Sequence, residues 1–146
     1  MGRTPPGTRA AYRAFRTLPT RWRDNDEYGH LNNATYFELF DTAVSLWQLE
    51  HGIEIRGPKA TRFLVVESGC RYHSELRFPD ILTAGLRIGH IGRSSFRYDI
   101  ALFANDSDTA AAEGFFTQVH VDSSGRPAPF APNVQEILTR IAVVAD

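Results

Sequence analysis

The run Arg21 to Ala43, RWRDNDEYGHLNNATYFELFDTA, crowds two aspartates, a histidine and paired asparagines into a polar turn that leads straight into a helical pattern. Free backbone N–H groups and the helix dipole make the first turn of such a helix a favourable place for negative charge, whether a phosphate, a carboxylate or the oxyanion of a carbonyl under attack. A carboxylate just ahead of it, here Asp26, has the chemistry to activate water or to attack a carbonyl itself. Acyl transfer needs an attacking group together with an oxyanion site, and this run supplies both within a few residues. Aspartates ahead of helices also serve as turn residues and remote caps. That is the role expected for Asp24. His30 suits a structural hydrogen bond as well as proton transfer, because a neutral imidazole both donates and accepts.

These groups need a frame, and the hydrophobic pattern describes one. Tyr36, Phe37, Phe40, Val44 and Trp47 recur at three- and four-residue spacings, which predicts a core-facing helix over about Asn33 to Glu50. Asn32 or Asn33 can cap its start, and Gly52 can end it in a left-handed turn. An extended segment over Phe15 to Arg23 precedes the helix. After it, Phe63 to Tyr72, Ile81 to Ile91, Ser94 to Ala104 and Ala111 to Asp122 read as strands, and Asn133 to Val144 as a short closing helix. Consecutive strands on short links are expected to pair antiparallel. A lone helix with so apolar a face must be covered by that sheet, so the expected class is α+β. Residues 1–13 are read as a flexible N-terminal tail and 14–146 as one domain, a size able to bury its own core.

Other chemistries fit less well. The formal net charge of -1, with arginines scattered along the chain, gives no footprint for nucleic acid. Asp24, Asp26, Tyr28 and Gly29 begin like a calcium loop, but Tyr28 stands at its fifth position and Thr35 replaces the closing glutamate. Cys70 and His73 are oddly spaced on a strand and point to opposite faces, so they make no nucleophilic pair, and Cys70 is expected as a small buried hydrophobe. The histidines are dispersed, so no metal or other cofactor is expected. A single cysteine suits a reducing compartment, and the absence of a long apolar run disfavours secretion or a membrane span, which points to the cytoplasm.

Asp24-Asn25-Asp26, Gly29-His30-Leu31-Asn32-Asn33, Tyr36 and Asp41, with fainter echoes in Tyr72 to Asp80, Ile91 to Phe96 and Val119 to Pro127, resemble the hotdog-fold acyl-CoA thioesterases of the 4-hydroxybenzoyl-CoA thioesterase type. The resemblance implies a long helix wrapped by a curved antiparallel sheet, and a homodimer or homotetramer with active sites between subunits. It implies that Asp26 is the catalytic carboxylate, as nucleophile or general base, and that the amide of Asn33 polarises the thioester carbonyl of an acyl-CoA substrate. Gly29, His30, Asn32 and Tyr36 are then expected around the substrate, with Tyr36 lining the acyl pocket, and Arg93, at a turn between strands, is a candidate for the CoA phosphates. The His30 variant of the glycine motif points to an aliphatic acyl group. Val44 stands where many relatives carry arginine, and Pro79 where they carry glycine. Two rivals remain: a dehydratase or hydratase using His30 as base, for which Asp41 lies too far along the helix to be an easy partner, and a non-catalytic acyl-thioester binding protein in which Asp26 only caps the loop.

Overall fold

The computed structural model describes residues 4–143. Strand β1 (Ala14–Pro19) is followed by a 3-10 turn at Trp22–Asp24 and then by helix α1 (Asn33–Glu50), capped by the Asn32 side chain, which accepts from the Ala34 amide. Strands β2 (Arg62–Tyr72), β3 (Ile81–Ile91), β4 (Ser95–Ala104) and β5 (Ala112–Val121) follow, and helix α2 (Pro132–Thr139) closes the chain. The expected closing helix thus ends earlier than its pattern suggested, and Val144 lies outside the described residues. The extended segment expected as far as Arg23 stops at Pro19, because the chain turns at Trp22 to Asp24 to bring Asp24 under the loop.

All five strands form one antiparallel sheet in the order β1-β3-β4-β5-β2. The architecture is the α+β hotdog arrangement, a sheet curled round one long helix. Consecutive pairing holds from β3 to β5 but fails for β2, which joins β5 at the far edge instead of β3. The physical reason is reach. Residues 73–80 have no two-residue hairpin turn, and at about 3.3–3.6 Å per residue they span the three inter-strand steps of about 4.8 Å that separate β2 from β3.

The core lies between α1 and the inner face of the sheet. Phe40, Ala43, Val44 and Trp47 of α1 are buried against residues such as Phe96, Tyr98, Leu102 and Phe116, while Phe37 is half-buried at the margin of that core. Val44 is a core residue. Gly114 lies beneath Phe40, so close that an added Cβ would run into its ring. Gly52 has φ +86°, the left-handed turn that ends the helix. Cys70 is half-buried rather than buried, because β2 is an edge strand; burial still pushes its thiol up to about 11.

The segment read as a loose N-terminal tail is packed from Gly7 to Tyr12. Tyr12 is buried on the outer face of the sheet against Phe103, and Arg9 donates to the carbonyls of Asn105 and Ser107. Glu113 is the anchor: it accepts from the Tyr12 hydroxyl at 2.5 Å and the Gly7 amide at 2.8 Å, and lies 3.2 Å from His73 Nε2. Burial alone pushes the Glu113 carboxyl up, but the bonds from Tyr12 and Gly7 and the nearby His73 outweigh it, so the net direction is down. A lowered folded-state value means stability that is present above the ordinary glutamate range and is lost as pH falls through the depressed value. Glu113→Gln is expected to be less stable than the parent at pH 7. That difference should shrink on acidification towards pH 3, as followed by urea denaturation across the range.

Candidate active site

The loop from Asn25 to Leu31 is a tight turn closed on itself. The Asp26 amide donates to the His30 carbonyl at 2.7 Å, the Gly29 amide donates to the Asp26 carbonyl at 3.1 Å, and Gly29 takes φ +81°, where a side chain would be strained. Asp24 lies beneath, 2% exposed, accepting from the Arg21 amide and guanidinium through its carboxylate while its carbonyl accepts the Asn32 amide. It steadies the loop. The loop is also tied to the link after β2, through Leu31 N–H to the Leu76 carbonyl at 2.8 Å and Phe78 N–H to Asn25 Oδ1 at 3.0 Å.

This framework leaves Asp26 half-engaged. Its Oδ1 accepts from the amides of Tyr28 at 2.8 Å and His30 at 3.2 Å, which fixes the carboxylate plane, while its Oδ2 has no partner among the described residues. The Asn33 amide, at the first position of α1, likewise has no acceptor among them. Both residues line one cleft of about 260 Å³, together with His30, Leu31, Tyr36, Tyr72, His73, Ser74 and Glu75. Tyr36 and Tyr72 meet edge to face at 4.8 Å, and burial pushes the Tyr36 hydroxyl up to about 12, so it stays a neutral donor. His30 Nε2 lies 3.0 Å from Glu75 Oε2. A free carboxylate oxygen thus shares a cleft with a free helix-start amide, the two parts that acyl transfer requires.

The structure therefore brings together Asp26, His30, Asn33 and Tyr36. Gly29 and Asn32 serve the loop and the helix cap and do not line the cleft. Arg93 sits in the β3–β4 turn, whereas the cleft is walled by the end of β2, which stands level with Ala84 near the start of β3. Arg93 is at the opposite end of the sheet, away from the cleft. Asp41 lines a different groove, with Leu18, Arg21 and Glu38. Sequence reasoning missed Tyr72, His73, Ser74 and Glu75, which reach the cleft through the pairing of β2 with β5. Among the described residues, no three His, Cys, Asp or Glu side chains converge where a metal ion could sit, and no helix is long and apolar enough to cross a membrane.

Comparison with known proteins places this fold in a family. The sequence profile of the Thioesterase-like superfamily matches residues 20–138, and the chain belongs to that family. No curated protein matches it. Among solved structures it is similar to the PA5185 protein of Pseudomonas aeruginosa, with 38% identity, TM-score 0.90, and 97% of this chain and 100% of that one covered. It is also similar to a thioesterase from Thermus thermophilus complexed with coenzyme A and zinc, with 27% identity, TM-score 0.72, and coverage of 90% and 95%. A 1,4-dihydroxy-2-naphthoyl-CoA thioesterase from Synechocystis shares the fold at 15% identity, TM-score 0.78, with 86% and 94% covered.

Proposed function

We propose that this protein is an acyl-CoA thioesterase, releasing free acid and CoA, with Asp26 as nucleophile or general base and the Asn33 amide as oxyanion donor. One observation carries the reading: Oδ1 of Asp26 is held by two amides while Oδ2 is left free in the same cleft as the unengaged Asn33 N–H. In the general-base route Oδ2 takes a proton from water, the oxygen of that water adds to the carbonyl carbon, the oxyanion accepts from Asn33 N–H, and the C–S bond breaks to release thiolate. Neither step asks for a metal or redox cofactor. Tyr36 and Tyr72 offer hydroxyls and ring edges to the acyl group. Free-thiol release across a panel of aliphatic and aromatic acyl-CoAs tests the reading, and no release from any of them would refute it. His30 with its carboxylate neighbour Glu75 is what a hydratase reading would use. With an enoyl-CoA included beside the panel, that activity would appear as loss of enoyl absorbance without thiol.

Replacing Asn33 by proline removes the assigned oxyanion donor. Proline is tolerated at the first helical position, and Asn32 already has the extended φ −62°, ψ 139° that precedes a proline well. Turnover should fall at least about tenfold, a modest loss for one oxyanion donor, while the circular dichroism spectrum is largely kept. Full activity would place the oxyanion site elsewhere.

A second copy of this chain completes the picture. The cleft of about 260 Å³ is smaller than the roughly 300–1,000 Å³ of pockets that enclose a whole ligand. Edge strand β2 leaves Leu64, Val65 and Val66 exposed at 51%, 49% and 60%, an apolar unpaired edge that a monomer ordinarily avoids. A homodimer through β2, alone or within a tetramer, covers that edge. Light scattering at low concentration should give a dimer or larger, and Val66→Lys should shift it towards monomer and reduce turnover. An active monomer would sink the shared-site arrangement.

A further inference from the structure

We propose that Glu75 is a positioning residue that clasps His30 across the mouth of the cleft and so holds the loop bearing Asp26 against the opposite wall. The step from clasp to turnover rests on the thioesterase reading, whereas the clasp itself is a matter of geometry.

The cleft has two walls that are distant in sequence. One is the Asp26 to Leu31 loop, the other the link that follows β2, from His73 to Glu75. The second wall is anchored from behind, because the amides of His73 and Ser74 both donate to the Ala111 carbonyl, at 2.8 and 3.0 Å, and His73 Nε2 lies on Glu113. The first wall depends on His30. Its amide donates to Asp26 Oδ1 and its carbonyl accepts from the Asp26 amide, so a shift of His30 moves the carboxylate plane with it. The His30 ring reaches over to Glu75 at 3.0 Å, and the Arg77 guanidinium stands 3.7 Å from the same Glu75 oxygen. Side chains 36% and 63% exposed put this pair at the mouth of the cleft rather than in its floor.

An ionised carboxylate only accepts hydrogen bonds. Nε2 of His30 therefore carries a proton and donates it to Glu75 Oε2 at 3.0 Å. Glu75 fixes the orientation of the ring, the service that a carboxylate renders a working imidazole. An exposed pair of this kind adds little to global stability. Its effect is on placement, and placement matters to rate because errors near 1 Å cost up to about a hundredfold.

Two measurements test the clasp. Hydrogen exchange at the amides of Tyr28 and His30, the donors to Asp26, reads it without turnover: Glu75→Ala should weaken their protection about fivefold or more, as a local opening, whereas Glu75→Gln keeps an acceptor oxygen and should retain it. Turnover then reads the consequence. Glu75→Ala and His30→Ala should each lower kcat about tenfold with KM within about twofold, within the range that misplacement produces. Glu75→Gln should stay within about threefold of the parent, and the double alanine variant should be no slower than either single one. Unchanged exchange in Glu75→Ala, additive losses in the double variant, or a Glu75→Gln as impaired as the alanine would each overturn the proposal. A parent that hydrolyses no acyl-CoA would instead refute the thioesterase reading, with hydrogen exchange still deciding the clasp.

Discussion

Asp26→Asn is expected to keep the fold and bind acyl-CoA while losing at least about a hundredfold in turnover, the lower end of what a positioned acid-base group contributes. The substitution isolates chemistry from packing. The asparagine carbonyl oxygen can occupy the Oδ1 position and accept from the amides of Tyr28 and His30, so the turn stays closed. What changes is the free oxygen: Oδ2, the group with no partner, becomes an amide nitrogen that neither takes a proton nor attacks a carbonyl. If Asp26 only capped the loop, asparagine would serve nearly as well and activity would barely move. Asp24→Asn supplies the contrast, because that carboxylate is spent on Arg21 behind the loop. Its loss should show as reduced thermal stability with turnover per folded molecule retained. An Asp26→Asn variant running within a few-fold of the parent would overturn the mechanism and leave the fold untouched.

Asp26, Asn33 and Tyr36 were legible because their relation is local. A turn, a cap and the first turn of a helix are written in consecutive residues, and the apolar spacing of Tyr36, Phe40, Val44 and Trp47 marks both the helix and the face it buries. The opposite wall was not legible in this way. Tyr72, Ser74 and Glu75 are brought to Asp26 by β2 crossing to the far edge of the sheet, and no short-range pattern states which strand an edge strand joins. The one signal was the Tyr72 to Asp80 stretch, which shares its weak family resemblance with the link that walls the cleft. The N-terminus reads as a flexible tail over residues 1–13, yet its Gly7 to Tyr12 part is packed. A buried aromatic, Tyr12, with the half-buried carboxylate of Glu113 to receive its hydroxyl, helps to hold the segment down. Arg93 shows the converse limit: a turn arginine is easy to find in sequence, but which end of the sheet its turn occupies depends on strand order.

Phe40→Ala should be the most destabilising of the changes considered, by about 3–5 kcal/mol, a large part of the roughly 5–15 kcal/mol that holds a domain of this size together. Phe40 is fully buried at the middle of α1 and touches Phe37 and Phe116 edge to face, so truncation leaves a cavity where helix and sheet meet. The ring lies over Gly114, which has no side chain because none fits: a Cβ there would strike the Phe40 ring and come within 2.9 Å of the Gly69 carbonyl oxygen. Gly114→Ala in the parent should therefore cost about 1–3 kcal/mol as overpacking. The two changes are opposite errors at one contact. In the Phe40→Ala background the methyl that Gly114→Ala introduces has space on the helix side, and only its crowding against the Gly69 carbonyl remains. The double variant should lose less than the sum of the singles, by more than the roughly 0.3–0.5 kcal/mol within which independent sites add. Urea denaturation of the four proteins measures that coupling. The same contact sets the height of α1 above the sheet, and α1 carries the Asn33 amide at its start, so Gly114→Ala should lower turnover even at temperatures where it is fully folded. Strict additivity of the two stability changes would show that Phe40 and Gly114 do not set the helix height together, and that the close approach of α1 is fixed elsewhere along the helix.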